Sequence, residues 1–186
     1  MLDTIRKSAG AALMIALGSL VLLKVGQPLG PFLFALGLLA VCDLKLNLFT
    51  GKCGFWLEDK IPLQDLIVIL VTNLVAGYIA GYAGGYLNND LIAAAAEKVA
   101  SWDMGIAFFI KSVFCGIVMY VAVKLYRNGT RLGILVGVPL FIFAGFQHCI
   151  ANIITCGVAQ TFSMTIIICV LGNFAGSLLC SFLTKE

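Results

Sequence analysis

The chain has 186 residues, of which 61% are apolar and only 11% charged, with a mean hydropathy of +1.06. A soluble domain is roughly half apolar and about a quarter charged, so soluble, disordered and disulfide-scaffold classes are excluded and an integral membrane protein remains. The formal charge of +3 does not imply nucleic acid as a partner, because Lys and Arg serve to orient membrane proteins.

A span takes about 20 apolar residues, and polar or Gly/Pro-rich breaks cut the chain into six apolar segments. They run Ala9–Val25, Leu29–Phe49, Leu63–Tyr86, Met104–Tyr126, Leu132–Ile154 and Phe162–Leu183. The runs are continuous rather than alternating, which predicts helices and not a β-barrel. The expected fold is therefore all-α, a single six-helix transmembrane domain over residues 1–186. The first segment follows Arg6 and Lys7 without a small-residue cleavage site and reads as a retained helix. The stretches between segments, including Leu87–Asp103, read as connections.

With the N-terminus in the cytoplasm, the inner side carries Arg6, Lys7, Lys52, Lys60, Lys124, Arg127, Arg131 and Lys185. The outer side carries Lys24 and Lys98. The positive-inside rule then predicts both termini in the cytoplasm, and the expected location is the cell (inner) membrane. Segments one to three and four to six have opposite topology, the pattern of folds built from inverted repeats. Segments two and five carry unusual chemistry near one end, Asn47-Leu48-Phe49-Thr50-Gly51 and Gly145-Phe146-Gln147-His148-Cys149-Ile150-Ala151-Asn152. Interrupted helices in matching positions of two halves point to a midplane binding site. Gly77, Gly81 and Gly85, and Gly172 and Gly176, repeat at a spacing that permits close helix packing.

Asp43, Lys45, Lys111 and His148 lie inside the spans, where each costs at least roughly 2–3 kcal/mol if charged and unpaired. His148 is the only histidine and shares a helical stripe with Phe141, Gly145 and Asn152. Its imidazole can exchange a proton with a weak acid or donate a hydrogen bond to an anion. Lys111, two turns into segment four, reads as an electrostatic lure at an outer pore mouth or as a snorkelling lysine. Asp43 and Lys45 point about 200° apart on a helix, so Asp43 needs a partner elsewhere while Lys45 shares a face with Phe49. An interhelical Lys–Asp bridge is the structural alternative. No cofactor or metal is expected, because the seven cysteines form no C-x-x-C pair and no Cys/His spacing.

Leu48-Phe49-Thr50-Gly51 resembles the Leu-Phe-Thr-Gly signature of the formate/nitrite transporter family. The segment around His148 is similar to that family's Gly-aromatic-Glu-His-(Ser/Cys)-(Ile/Val)-Ala-Asn signature. Weaker matches are Gly37-Leu38, Asn73, Lys111 ahead of Cys115, and Leu171-Gly172-Asn173. The resemblance implies an aquaporin-like fold with broken second and fifth helices, assembled as a pentamer with one pore per protomer. It implies that Leu48 and Phe49 build a cytoplasmic hydrophobic constriction, that Thr50 hydrogen-bonds the anion, and that His148 stands between two constrictions. The departures are Asn47 and Gln147, where the family has Glu, and Gly116, where it has Asn. They bear on which anion passes.

The function expected on this reading is a channel or transporter for a small monovalent anion such as formate, nitrite or hydrosulfide, proton-linked through His148. Its partners are the anion, the bilayer and further copies of itself. A pore for a neutral solute, with His148 and Thr50 as donors, would show neither anion competition nor steep pH dependence. A membrane enzyme or assembly subunit is disfavoured, because the chain has one His, no carboxylate pair and no nucleophile with a base.

Overall fold

The computed structural model describes residues 1–185, and among these the secondary structure is helical. In chain order the helices are α1 Leu2–Val25, α2 Leu29–Asp43, α3 Phe49–Lys52, α4 Leu63–Gly85 and α5 Asn89–Ala100. They continue as α6 Ile106–Arg127, α7 Leu132–Phe143, α8 Cys149–Val158 and α9 Thr165–Leu183. Helices α1, α4, α6 and α9 are long and apolar enough to cross a membrane, and α2, α7 and α8 are shorter apolar helices. The chain is an integral membrane protein.

Two segments depart from a continuous helical face. The helix of segment two stops at Asp43, and that of segment five stops at Phe143. Lys45 and Gly145 then adopt left-handed backbone, with φ of 53° and 69°. Leu46 N donates to Val41 O and Phe146 N to Phe141 O, each at 2.9 Å. Lys45 N donates to Cys42 O and Gly145 N to Ile142 O. This bond pair, spanning five and three residues, is the cap that ends a helix on a left-handed residue. Lys45 and Phe49 therefore do not share a helical face, and His148 does not continue the helical stripe of Phe141. The 3.6-residue period does not apply across residues 44–48 and 144–148. After each turn a short helix resumes, α3 continuing through a 3₁₀ turn at Cys53–Phe55.

The stretch Leu87–Asp103 is not merely a connection, since it contains α5. The Asn88 side chain accepts from Asp90 N at 2.8 Å and caps that helix. Leu91 and Ala95, one turn apart, are buried and pack with Leu20, Leu23 and Val158.

Backbones come very close where the glycines lie. A methyl group added at Gly81 would sit 2.2 Å from Ile154 O, and one at Gly176 would sit 2.0 Å from Val113 O. Helix α4 is thus pressed on α8, and α9 on α6. In lipid, helices gain no hydrophobic free energy from meeting one another, so such close packing is a main source of association. This contact fixes α8, and with it the turn that carries His148.

Candidate functional site

The two turns that follow α2 and α7 are anchored alike. Asn73 of α4 accepts from Phe49 N at 2.7 Å and donates from Nδ2 to Ser8 O and Asn47 O, at 2.8 and 3.0 Å. Asn173 of α9, one hundred positions on, accepts from Cys149 N at 2.8 Å and donates to Ser112 O and Gln147 O, both at 2.8 Å. Asn47 N bonds Lys7 O, and Gln147 N bonds Lys111 O. Both asparagines are fully buried. A non-helical turn in lipid leaves backbone N–H and C=O groups without water, and each would cost several kcal/mol if unpaired. One carboxamide with two donors and an acceptor satisfies three of them. Asn73 and Asn173 were visible in the sequence as markers of segments three and six, but their anchoring role was not.

His148 caps α8. Its Nδ1 accepts from Ala151 N at 3.1 Å, so in the neutral ring the proton lies on Nε2. Nε2 lies 2.9 Å from Thr50 Oγ1, a contact between residues 98 positions apart. With Nε2–H donating, the threonine hydroxyl keeps its own proton for another acceptor. The imidazole stacks on Phe141, 5.6 Å between ring centroids, and is 2% exposed.

His148, Gln147 and Asn152 line a cavity of 320 Å³ together with Phe34, Phe141 and Lys98. Asn152 Nδ2 donates to Gln147 Oε1 at 2.8 Å, which ties those two side chains together. Phe34 and Phe141 meet edge to face, 6.1 Å apart. A second cavity of 260 Å³ is lined by Leu38, Val41, Lys45, Leu48, Lys52 and Arg127, among others. Helix α2 lines both cavities, from Phe34 in the first to Val41 in the second, about 10 Å along its axis at 1.5 Å per residue.

The sequence-derived site residues separate accordingly. His148, Gln147 and Asn152 line the first cavity, and Leu48 and Lys45 line the second. Thr50 is joined to His148. Phe49 is buried and stacks on Phe174, 6.3 Å away, and Asn47 serves the Asn73 anchor through its carbonyl. Neither Phe49, Asn47 nor Lys111 lines either cavity. The side chain of Lys111 is exposed, and the lysine at the first cavity is Lys98 of α5, which the sequence marks only as one of the two outer positive charges. Lys52, at the second cavity, is likewise marked in the sequence only by its charge. Asp43 finds its partners across the fold, since Tyr126 Oη donates to Asp43 Oδ1 and Arg131 Nη2 lies 3.4 Å from it. It is not bridged to Lys45.

A family model described as formate/nitrite transporter matches residues 2–183. The chain belongs to the formate/nitrite transporter family. It is accordingly a membrane transport protein and not an enzyme. Two solved structures have the same fold at 17% identity and a TM-score of 0.74. One, described as an FNT family ion channel, is matched over 97% of this chain and 86% of its own length. The other, described as a pentameric formate channel with formate bound, is matched over 98% of this chain and 93% of its own. Comparison with curated proteins finds no match.

Proposed function

We propose that this formate/nitrite transporter family member conducts small monovalent anions, of the formate and nitrite type, through a pore within each protomer. The observation that carries the reading is the Thr50–His148 pair, in which His148 lines the first cavity and Thr50 stands in the chain between Leu48 and Gly51 of the second. An anion entering an apolar neck loses water, and that loss is severe unless protein dipoles replace it or a proton neutralises the charge. His148 and Thr50 offer such donors, Lys98 and Lys111 raise anion concentration on one side, and Lys45 does so on the other. Leu48, with Phe49 packed behind it, forms the apolar neck, and Gln147, Asn152 and Asn47 hold the turns that aim these groups.

The six-span inverted repeat belongs to the same proposal. It is supported by the equivalent anchors of Asn73 and Asn173 and by the left-handed residues at Lys45 and Gly145. The single transmembrane channel domain is assigned to residues 1–186, of which Glu186 lies outside the described residues. We place both termini in the cytoplasm of an inner membrane, following the charge asymmetry, and the assembly as a pentamer, as in the formate channel of the same fold. Proton linkage through His148 has a defined structural requirement. A second proton on the ring goes to Nδ1 and must displace the Ala151 N–H bond.

The test is flux from liposomes holding the purified protein, with formate, nitrite, hydrosulfide and urea compared with and without a pH gradient. Saturable anion flux that responds to the gradient supports the reading. Urea flux that no anion inhibits replaces it with a neutral-solute pore, and absence of all flux from a folded pentamer overturns both.

A further inference from the structure

We infer that the cavity beside Lys45 is a second anion site, held by Lys45 and Lys52, whose ligand is a small divalent oxyanion that binds there and blocks the path. The block rests on the pore reading; the binding does not.

Three cations, Lys45, Lys52 and Arg127, line this cavity, and no carboxylate does. Their counter-charges are committed elsewhere or absent. Arg127 is engaged by Asp59 through two hydrogen bonds of 2.9 and 2.6 Å, and its guanidinium lies 3.7 Å over the Phe55 ring. Asp43, the acid nearest Lys45 in sequence, is held by Tyr126 and Arg131. Among the described residues, no carboxylate lies within ion-pair distance of Lys45 or Lys52. The cavity therefore presents two ammonium groups that make no ion-pair contact.

The backbone supplies an independent observation. Lys45 has a φ of 53°, a conformation that glycine adopts freely and a residue with a Cβ adopts under strain. The equivalent turn in the second half has Gly145 at this place. Lys60 and Gln160 share this backbone at φ of 50° and 53°, but of the three only Lys45 lines this cavity.

Two positive charges at one cavity, Lys45 exposed and Lys52 half-buried, favour a doubly charged ligand over a singly charged one, because the attraction scales with the product of charges. The volume of 260 Å³ admits a tetrahedral oxyanion that keeps part of its water. Such an ion does not continue past Leu48, which is 1% exposed, because stripping a dianion costs far more than stripping a monoanion. Binding without passage is block.

The experiment is equilibrium dialysis of labelled sulfate against the detergent-solubilised protein at fixed ionic strength. Saturable binding is expected, weakened roughly tenfold by Lys45→Met and by Lys52→Met, the scale of one charge-assisted contact. Lys60→Met, outside the cavity, should leave it unchanged. Lys45→Gly, which relieves the turn, should weaken binding as Lys45→Met does and so separates lost charge from misfolding. Sulfate binding that is absent, or indifferent to both lysines, overturns the site. In liposomes, sulfate on the Lys45 side alone should inhibit formate flux. If sulfate binds as expected but formate never crosses, the site stands and the pore reading falls. If formate crosses and sulfate does not bind, the reverse holds.

Discussion

Thr50 Oγ1 and His148 Nε2 stand 2.9 Å apart and join the turn after α2 to the turn after α7. Because Nδ1 is occupied by Ala151 N–H, this contact has a fixed direction, from imidazole to hydroxyl. Thr50→Val keeps the shape and removes the hydroxyl. It is expected to lower formate flux roughly tenfold, the worth of one hydrogen bond to a charged group, with oligomer mass unchanged. His148→Asn keeps a donor without the titratable ring and should flatten the pH dependence of flux. A folded His148→Asn protein with unaltered pH dependence rules out proton coupling at this residue.

The asparagine anchors make a prediction about stability rather than transport. Asn173→Leu leaves Cys149 N without its partner at the start of α8. A loss of about 2–3 kcal/mol is expected from unsatisfied buried backbone, and Asn73→Leu should do comparable damage through Phe49 N. Thermal unfolding in detergent measures both. If either variant melts with the parent, its turn is not held in this way.

Close helix contact can be tested one methyl at a time. Gly176→Ala places a carbon 2.0 Å from a backbone carbonyl that cannot move without its helix, whereas Gly10→Ala meets only the Leu46 side chain at 3.4 Å. The first should cost about 3 kcal/mol by overpacking, and the second should be nearly neutral. Equal melting temperatures would mean that α6 and α9 separate freely.

Lys45→Gly should raise the melting temperature while weakening sulfate binding, because left-handed backbone costs a non-glycine residue about 1 kcal/mol. A gain in stability without loss of binding would mean that Lys45 does not hold the anion.

The Arg127 guanidinium beside Asp59 holds that carboxyl below the usual carboxylate range. A carboxylate depressed in the folded state contributes stability above its unfolded pKa and loses it as pH falls through the folded value. The pair's contribution should thus be constant near neutrality and fade only below about pH 4. Asp59→Asn should cost about 1 kcal/mol at pH 7, the scale of a partly exposed pair, and flatten the acid limb of the stability curve. It also frees Arg127 at the cavity, so sulfate should bind more tightly in dialysis.

The four long helices were legible because uninterrupted apolar runs leave lipid as their only environment. The residues for the two turns were legible too, since polar groups cluster in segments two and five. What the helical period could not give was direction. It placed Lys45 on the face of Phe49, but the helix ends at Asp43, and Lys45 lines a cavity with Leu48 that Phe49 does not reach. Helix α5 was missed because its surroundings are polar, although Asn88 with Asp90 and the Leu91–Ala95 spacing are its cap and buried face. Lys98 went unnoticed with it. Asp43 was read correctly as needing a distant partner, yet nothing local to Asp43 names Tyr126, which lies 83 positions away.

Each anchored turn takes its hydrogen bonds from helices on both sides of it in the chain. Asn47 leans on Lys7 behind it and on Asn73 ahead, and Gln147 leans on Lys111 and Asn173 in the same manner. During synthesis the first turn therefore has no fixed shape until α4 has entered the membrane, and the second none until α9 has. The smallest piece of chain able to hold its own loop is half of the molecule. The Thr50–His148 contact closes only after both halves are complete, so a nascent chain should carry no route for ions across the bilayer before its last helix is in place.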